Sequence, residues 1–262
     1  MSSSGRPVRL EHEGGLAVVT FDSPPVNLYD AALDLALHET VDELEAAEPR
    51  AVLFRADGRV VSGGVDVSVF AAQDGADAAA GVFDTLVSIV RRVERLECPV
   101  VFAAHALCLT WAFELALGCD LILAAESASF GLVEKVVGLT PGGGGTQRLA
   151  ERAGSGRAKE FVMAGVPFGA ATLERWGVVN RVLPDEGFDA AARAFAVSLA
   201  DGPTRAHAAT KRMVRRYLEG GVDAADADTG RIAGALFETA DLQNAVRSFL
   251  ADGPGKASFE GR

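Results

Sequence analysis

The 262-residue chain is short of basic residues: 25 lysines and arginines stand against 36 aspartates and glutamates, which gives a formal net charge of −11 at pH 7. A field of this sign repels nucleic acid and anionic membranes at long range, so we expect neither as a partner. A polyanionic ligand would need a local basic patch. The densest basic cluster is Lys211, Arg212, Arg215 and Arg216. We interpret it as a solvated helix face, with docking of a ligand phosphate as the alternative.

Cysteine is also scarce. The three cysteines, Cys98, Cys108 and Cys119, are odd in number and ten or eleven residues apart. This spacing is typical neither of a metal site nor of a secreted disulfide framework, so we expect no metal and predict buried, reduced thiols in a cytoplasmic protein.

The N-terminus, Met-Ser-Ser-Ser-Gly-Arg-Pro, lacks the apolar core of a signal peptide and is predicted to be a disordered tail.

Long hydrophobic runs are absent as well. The most apolar stretch, Cys98 to Asp120, is interrupted by Glu114 before it reaches the roughly 20 apolar residues of a membrane span. The hydrophobic content of 49% is nevertheless enough for a full core. The length allows one large domain or two small ones.

The order of apolar segments predicts a partly parallel α/β sheet. Strands are expected at Leu16 to Phe21, Ala51 to Phe54 and Val178 to Leu183, with helices between them that include Leu33 to Leu44 and Val82 to Leu96. Beyond Ser155 the pattern becomes mainly helical. The helices predicted there run from Ser155 to Ala164, Ala170 to Arg175, Gly187 to Leu199, Pro203 to Leu218, and on to about Leu250.

The central apolar stretch predicts a strand (Val100 to Ala104), a turn, a short helix (Trp111 to Leu117) and a second strand (Leu121 to Ala125). Glu114 then lies in the first helical turn, among apolar side chains. A capping box does not explain it, because a cap at Thr110 needs its acid at position 113. A buried carboxylate is costly unless it is paired or used, so Glu114 is a functional candidate.

Two glycine-containing segments suggest loops whose N–H groups face a ligand. Gly63 and Gly64 follow an extended segment and could form such a loop. A plain tight turn, which needs the same residues, is the alternative. Gly142 to Gly145 precede Thr146, and are interpreted either as a flexible hinge or as an N–H-rich lead into a helix that receives an anion or a thioester oxygen. The segment is no Walker loop, because the Gly-Lys-Ser/Thr ending is absent.

Taken together, five motifs resemble the crotonase, or enoyl-coenzyme A hydratase/isomerase, superfamily, and the resemblance runs from about Val8 to Leu250. The motifs are Pro25-Val-Asn27, Val61-Ser-Gly-Gly-Val-Asp-Val67, Pro99 to Asp120, Phe130 to Glu134, and Pro141-Gly-Gly-Gly-Gly-Thr-Gln-Arg-Leu149. The resemblance implies an α/β fold, a crotonase-like spiral of β-β-α units with a helical C-terminal region. We divide this single structural unit into a core (1–200) and a C-terminal helical oligomerisation region (201–262).

The resemblance also implies site residues. Glu114 and Glu134 would be catalytic, and the backbone N–H groups of Val65 and Trp111 would form an oxyanion hole for a thioester enolate. The residues implied to bind the substrate are Gly64, Asp66, Val67, Pro141 and Gly142. The implied partner is an acyl-coenzyme A thioester, coenzyme A being part of the substrate rather than a separate cofactor, and the implied assembly is a homotrimer or a dimer of trimers.

The sequence departs from the family pattern at Thr110-Trp111-Ala112, where three glycines are usual. Trp111 would be strained in a glycine-only conformation, and its indole must lie beside the acyl group or outside the site. His105 is interpreted as a core histidine.

Three functions are consistent with these residues. We favour a 2-enoyl-coenzyme A hydratase that uses both glutamates. The alternatives are a double-bond isomerase and an acyl-coenzyme A-binding protein in which Trp111 has disrupted the oxyanion hole.

Overall fold

A computed structural model describes residues 6–262, so that most of the expected N-terminal tail lies outside the described residues. In chain order the strands are β1 (Val8–Glu13), β2 (Leu16–Phe21), β3 (Ala51–Ala56), β4 (Val100–Ala104), β5 (Cys108–Leu109), β6 (Leu121–Ala125), β7 (Ser129–Gly131), β8 (Phe168–Gly169) and β9 (Arg181–Leu183). The helices are α1 (Ala31–Ala47), α2 (Ser68–Ala71), α3 (Ala76–Arg95), α4 (Trp111–Gly118), α5 (Gly145–Ala153), α6 (Ser155–Ala164), α7 (Ala170–Arg175), α8 (Phe188–Ala200), α9 (Thr204–Gly234) and α10 (Ala240–Asp252). Short 3₁₀ helices occupy Glu134–Val137 and Ala235–Glu238.

The larger sheet has six strands in the order β1-β2-β3-β4-β6-β9. Strand β1 pairs with β2 in antiparallel fashion, and the other four pairings are parallel. The strands β2 to β4 are almost continuously apolar and buried, as expected of parallel strands that are covered on both faces. The predicted mixed α/β sheet is therefore confirmed.

A row of aromatic side chains joins the sheet to α4. Phe21 and Phe54 stack with their ring centroids 6.0 Å apart, and Phe102 lies 6.3 Å from Phe21. The Trp111 ring meets Phe21 edge-on at 5.0 Å. Because each of these large side chains is fully buried, each contributes about 1.5–3 kcal/mol to folding. The contact anchors the first residue of α4 in the core.

A second, small sheet positions the functional loops. It has three strands in the order β5-β7-β8. Parallel pairing places Cys108 beside Phe130 and Leu109 beside Gly131, and the Thr110 N–H donates to the Gly131 carbonyl at 2.8 Å. The chain thus makes a β-β-α turn through β4, β5 and α4, and the residues that follow β7 come to lie beside the start of α4.

The C-terminal part is helical, as predicted. Helix α9 bends at Gly220 and Gly221, which leave the helical conformation. The chain end folds back: the buried Asp241 carboxylate accepts hydrogen bonds from the N–H groups of Glu260 (2.7 Å) and Gly261 (2.8 Å). The last residues therefore pack against the start of α10.

Several predicted elements are confirmed with shifted ends. The central stretch folds as predicted except that its turn contains the short strand β5, and only Arg181–Leu183 of the segment from Val178 is a strand. All three cysteines are buried and free. Strands β1, β5, β7 and β8 were not predicted. Across residues 6–262, no helix combines the length and apolar character that crossing a membrane requires.

Candidate active site

Glu114 is the most deeply buried acid of the site. It lies in the first turn of α4, as predicted, and only 2% of it is exposed. Its Oε1 accepts hydrogen bonds from the N–H groups of Gly143 (2.8 Å) and Gly145 (3.0 Å). Burial raises the pKa of Glu114 from 4.5 to about 7, against the opposing effect of the two N–H donors, which favour the carboxylate. The group is thus poised to exchange a proton near neutral pH.

The glycine run is an N–H-rich lead into α5, as one of the two interpretations predicted, and the anion that it receives belongs to the protein: the N–H groups of Gly143 and Gly145 both donate to Glu114. The approach is too close for side chains. A Cβ on Gly145 would lie 2.7 Å from Glu114 Cγ, and one on Gly143 would lie 3.0 Å from Glu114 Oε2. Glycine is therefore required here for contact with the carboxylate. The sequence suggested an N–H-rich segment but not its partner.

Glu134 is the second acid. It opens the 3₁₀ helix that follows β7, with 8% of the residue exposed and its Oε2 buried without a hydrogen-bond partner in residues 6–262. Burial, reinforced by the nearby charge of Glu114, raises the pKa of Glu134 from 4.5 to about 8. Two such carboxyl groups exchange protons as a pair, so one can hold a proton while the other is ionised.

Both glutamates line one narrow cavity. The space open to the centre of a water molecule is about 20 Å³, and about 10–15 Å³ suffices for one water. The remaining wall is mostly apolar, and is made by Tyr29, Val65, Phe70, Val82, Phe83, Leu86, Leu139, Thr140 and Gly142. A water between the carboxyl groups would therefore be held in a largely apolar pocket.

Two backbone N–H groups come from Val65, which lines this cavity, and from Trp111, which begins the helix that carries Glu114. The segment from Ser62 runs parallel to the one from Cys108, since Ser62 pairs with Cys108 and the Leu109 N–H donates to the Ser62 carbonyl. Continuing that register places Val65 next to Trp111. Neither N–H donates to any hydrogen-bond acceptor in the described chain. Two adjacent unpaired donors are the composition of an oxyanion hole.

The Trp111 indole lies outside the cavity. It is fully buried against Phe21 and Tyr29, and its Nε1 donates to the Asn27 carbonyl at 3.2 Å. Of the two positions that the sequence allowed for the indole, this is the one outside the site. The expected backbone strain falls on Thr110 instead, with φ 49° and ψ −118°, because Trp111 itself is the first helical residue.

Asn27 ties the two donor segments together. Its side chain is buried, and its Nδ2 donates to the carbonyls of Asp57 (3.1 Å) and Val61 (3.1 Å). Its own carbonyl accepts from Trp111. Asn27 thus contacts both the segment that leads to Val65 and Trp111, the two sources of the unpaired N–H groups.

The predicted substrate-binding residues separate into two groups. Gly142 lines the cavity, where a Cβ would collide with the Phe83 ring, and the buried Gly64 lies against Thr110. Asp66, Val67 and Pro141 are not part of the cavity wall. Asp66 binds the Ser68 N–H at 2.9 Å, Val67 is 61% exposed, and Pro141 is buried.

Two interpretations of basic residues need correction. His105 is only half-buried, and its Nε2 lies 3.0 Å from the Gly58 carbonyl, so it is not a core histidine. Lys211 does not lie on a solvated face, because it pairs with Asp120 at 2.8 Å and donates to the Cys98 carbonyl. The other three cationic side chains of the cluster, Arg212, Arg215 and Arg216, also contact carboxylates.

The aromatic wall of the cavity was not predicted. Phe70 and Phe83 lie with their centroids 6.3 Å apart, and Tyr29 hydrogen-bonds to Asp34 from a buried position. These residues come from α2, α3 and the segment before α1. Because these three residues are distant in sequence, no local pattern predicted that they share one wall.

Comparison with known proteins identifies the family of the chain. A sequence model of the family described as enoyl-CoA hydratase/isomerase matches residues 11–262. A probable enoyl-CoA hydratase of Rhodobacter capsulatus is 32% identical over 97% of this chain and 98% of its own length. A short-chain-enoyl-CoA hydratase of Clostridium acetobutylicum is 30% identical over 93% of this chain and 94% of its own.

The fold also matches solved structures. The crystal structure of an enoyl-CoA hydratase from Bacillus anthracis superimposes with a TM-score of 0.90, over 98% of this chain and all of that one. At 23% identity this similarity concerns the fold.

Proposed function

The chain belongs to the enoyl-CoA hydratase/isomerase family, and we propose that it adds water across the 2,3 double bond of a 2-enoyl-coenzyme A thioester. The observation that carries the proposal is the pair of glutamates, Glu114 and Glu134, on one cavity with room for a water molecule. The N–H groups of Val65, which lines that cavity, and of Trp111, which begins the helix carrying Glu114, have no acceptor in residues 6–262 and support a thioester carbonyl at this place.

In the proposed reaction the oxygen of the water bonds to Cβ, and the ionised Glu114 accepts the proton that the water loses. The π electrons of the double bond shift towards the thioester, whose oxygen gains negative charge as an enolate. Val65 and Trp111 donate hydrogen bonds to that oxygen, where the charge develops. The protonated Glu134 then delivers its proton to Cα, and the enolate collapses to the 3-hydroxyacyl thioester.

Hydrogen bonding supports this division of roles. The two N–H donors on Glu114 favour its carboxylate form, whereas Glu134, whose Oε2 has no partner in residues 6–262, is better suited to hold the proton. Burial raises the pKa of both groups, and the charge of Glu114 raises that of Glu134 further, so one carboxyl can stay protonated while the other is ionised.

The proposal requires no separate cofactor, because coenzyme A enters as part of the substrate. We also propose a cytoplasmic location and assembly into a homotrimer or a dimer of trimers. Exposed apolar side chains on the last helices support assembly: Tyr217, Leu218, Val222, Phe237, Phe249 and Leu250. Light scattering coupled to gel filtration tests the number of subunits.

The test of function is the decay of conjugated enoyl-thioester absorbance with 2-enoyl-coenzyme A substrates of short, medium and long chain. We expect decay with the wild type, and losses of about 10²–10⁴-fold in kcat in Glu114→Gln and Glu134→Gln with thioester binding retained. Glu126→Gln, at an exposed glutamate, is the matched control. Binding without decay of any substrate would refute hydration, and conversion of a 3-enoyl thioester instead would indicate an isomerase.

A further inference from the structure

Thr110, the residue before α4, has a backbone that its side chain does not favour. Its φ of 49° and ψ of −118° lie in a region that glycine adopts readily and β-branched residues rarely do. The conformation is held from both sides: the Thr110 N–H donates to the Gly131 carbonyl, and its carbonyl accepts from the Glu114 N–H at 2.8 Å. A threonine in this position therefore calls for an explanation.

The Thr110 hydroxyl has no hydrogen-bond partner in residues 6–262. Only 5% of the residue is exposed, and its Oγ1 is buried. Threonine at the start of a helix commonly accepts a hydrogen bond from the first turn, but Thr110 makes no such bond. Since buried hydroxyl groups are nearly always hydrogen-bonded in native proteins, this one is suited to bind something that the protein chain does not supply.

The position of the hydroxyl follows from the backbone. At this ψ the Cβ of an L residue is nearly eclipsed with the next peptide nitrogen, so the Thr110 side chain lies on the side towards which the Trp111 N–H points. Across the parallel pairing, a Cβ on Gly64 would lie 3.3 Å from Thr110 Oγ1. Gly64 directly precedes Val65. The Thr110 hydroxyl thus lies against the residue that precedes Val65, on the side of the Trp111 N–H.

We propose that the Thr110 hydroxyl donates a third hydrogen bond to the thioester oxygen, and that Thr110 is a catalytic residue. The proposal rests on the proposed function, since it requires a thioester carbonyl between Val65 and Trp111. A hydroxyl can rotate towards the oxygen as negative charge builds on it, and its proton stays on Thr110 throughout. Like the two N–H groups, it stabilises the enolate more than the neutral carbonyl.

The experiment compares Thr110→Ser, which keeps the donor, with Thr110→Val, which keeps the branched shape and loses the hydroxyl. With 2-butenoyl-coenzyme A we expect Thr110→Val to lower kcat by at least about tenfold with little change in KM, and Thr110→Ser to lose far less. Urea unfolding of each variant identifies loss of folding. Thr210→Val, at an exposed threonine on α9, is the control.

A second measurement does not depend on turnover. The carbonyl stretching frequency of bound butanoyl-coenzyme A, measured by infrared difference spectroscopy, is lowered by each hydrogen bond to the oxygen. We expect Thr110→Val to raise it relative to the wild type and Thr110→Ser. Equal frequencies and equal kcat in Thr110→Val would overturn the proposal, as would a higher kcat in Thr110→Gly, which would mean that the side chain only obstructs the site.

The two measurements separate this proposal from hydration. If the wild type binds butanoyl-coenzyme A without hydrating enoyl thioesters, the carbonyl frequency still decides the role of Thr110 while the hydratase proposal fails. If the wild type binds no thioester, both proposals are wrong.

Discussion

Replacing Glu134 by glutamine should stabilise the fold at alkaline pH while it removes activity. Glu134 is buried, with 8% of the residue exposed, and its pKa is raised from 4.5 to about 8. Each tenfold change in an ionisation constant corresponds to about 1.4 kcal/mol, so holding the ionised group in the fold costs about 5 kcal/mol at most. Because the residue keeps some contact with solvent and the fold can relax around the charge, we expect about half of that.

The sign follows from comparing the two states. In the unfolded chain Glu134 ionises near its ordinary value, whereas in the fold it stays protonated to about pH 8. The stability that comes with the protonated form is therefore complete below about pH 4.5 and is lost as the pH rises towards 8. Glutamine does not titrate, and it also removes a charge that raises the energy of ionised Glu114. The variant should therefore match the wild type at pH 5 and exceed it by about 2–3 kcal/mol at pH 8.5.

The assay is urea unfolding at one protein concentration and at pH 5, 7 and 8.5, followed by the fluorescence of Trp111 and Trp176. Glu126→Gln removes the same formal charge from the surface and should show no comparable gain at pH 8.5. A difference between Glu134→Gln and the wild type that is the same at all three pH values would refute the reasoning, because burial of a titrating carboxyl would then not be the cause.

Three further predictions follow from packing. Gly145→Ala places a Cβ 2.7 Å from Glu114 Cγ and should cost about 1–3 kcal/mol in urea unfolding, together with activity, whereas Gly156→Ala in α6 meets no atom within 4 Å and should stabilise slightly. Asp241→Ala leaves two tail N–H groups without an acceptor and should speed proteolysis of residues 253–262, measured by mass spectrometry. The three cysteines, whose thiol pKa values burial raises, should react with a thiol reagent only after unfolding.

Local sequence patterns predicted the elements around the site well. Periodicity alone located the apolar runs at Leu16–Phe21 and Val100–Ala104 and the glutamate at position 114. Each of these signals depends only on neighbours within a few residues. The short strands of the second sheet were missed, because two or three residues carry no period. They form through hydrogen bonds to segments about 20 or more residues away.

The roles of the glycine run and of Thr110 required the tertiary structure. In sequence, Gly142 to Gly145 are equally consistent with a hinge and with a ligand loop, and only the approach of α4 makes Glu114 their acceptor. The departure from three glycines drew attention to Trp111, but Trp111 is the first helical residue and the strained backbone is that of Thr110.

The sequence alone determined the family, the α/β class and the two acids, because these depend on residue types and on their order along the chain. The tertiary structure decided which groups satisfy one another: that the glycine N–H groups bind a protein carboxylate, that the indole lies in the core, and that the Thr110 hydroxyl is left without a partner. Hydrogen bonding and close packing join atoms that are distant in the chain, and no local pattern records those pairings.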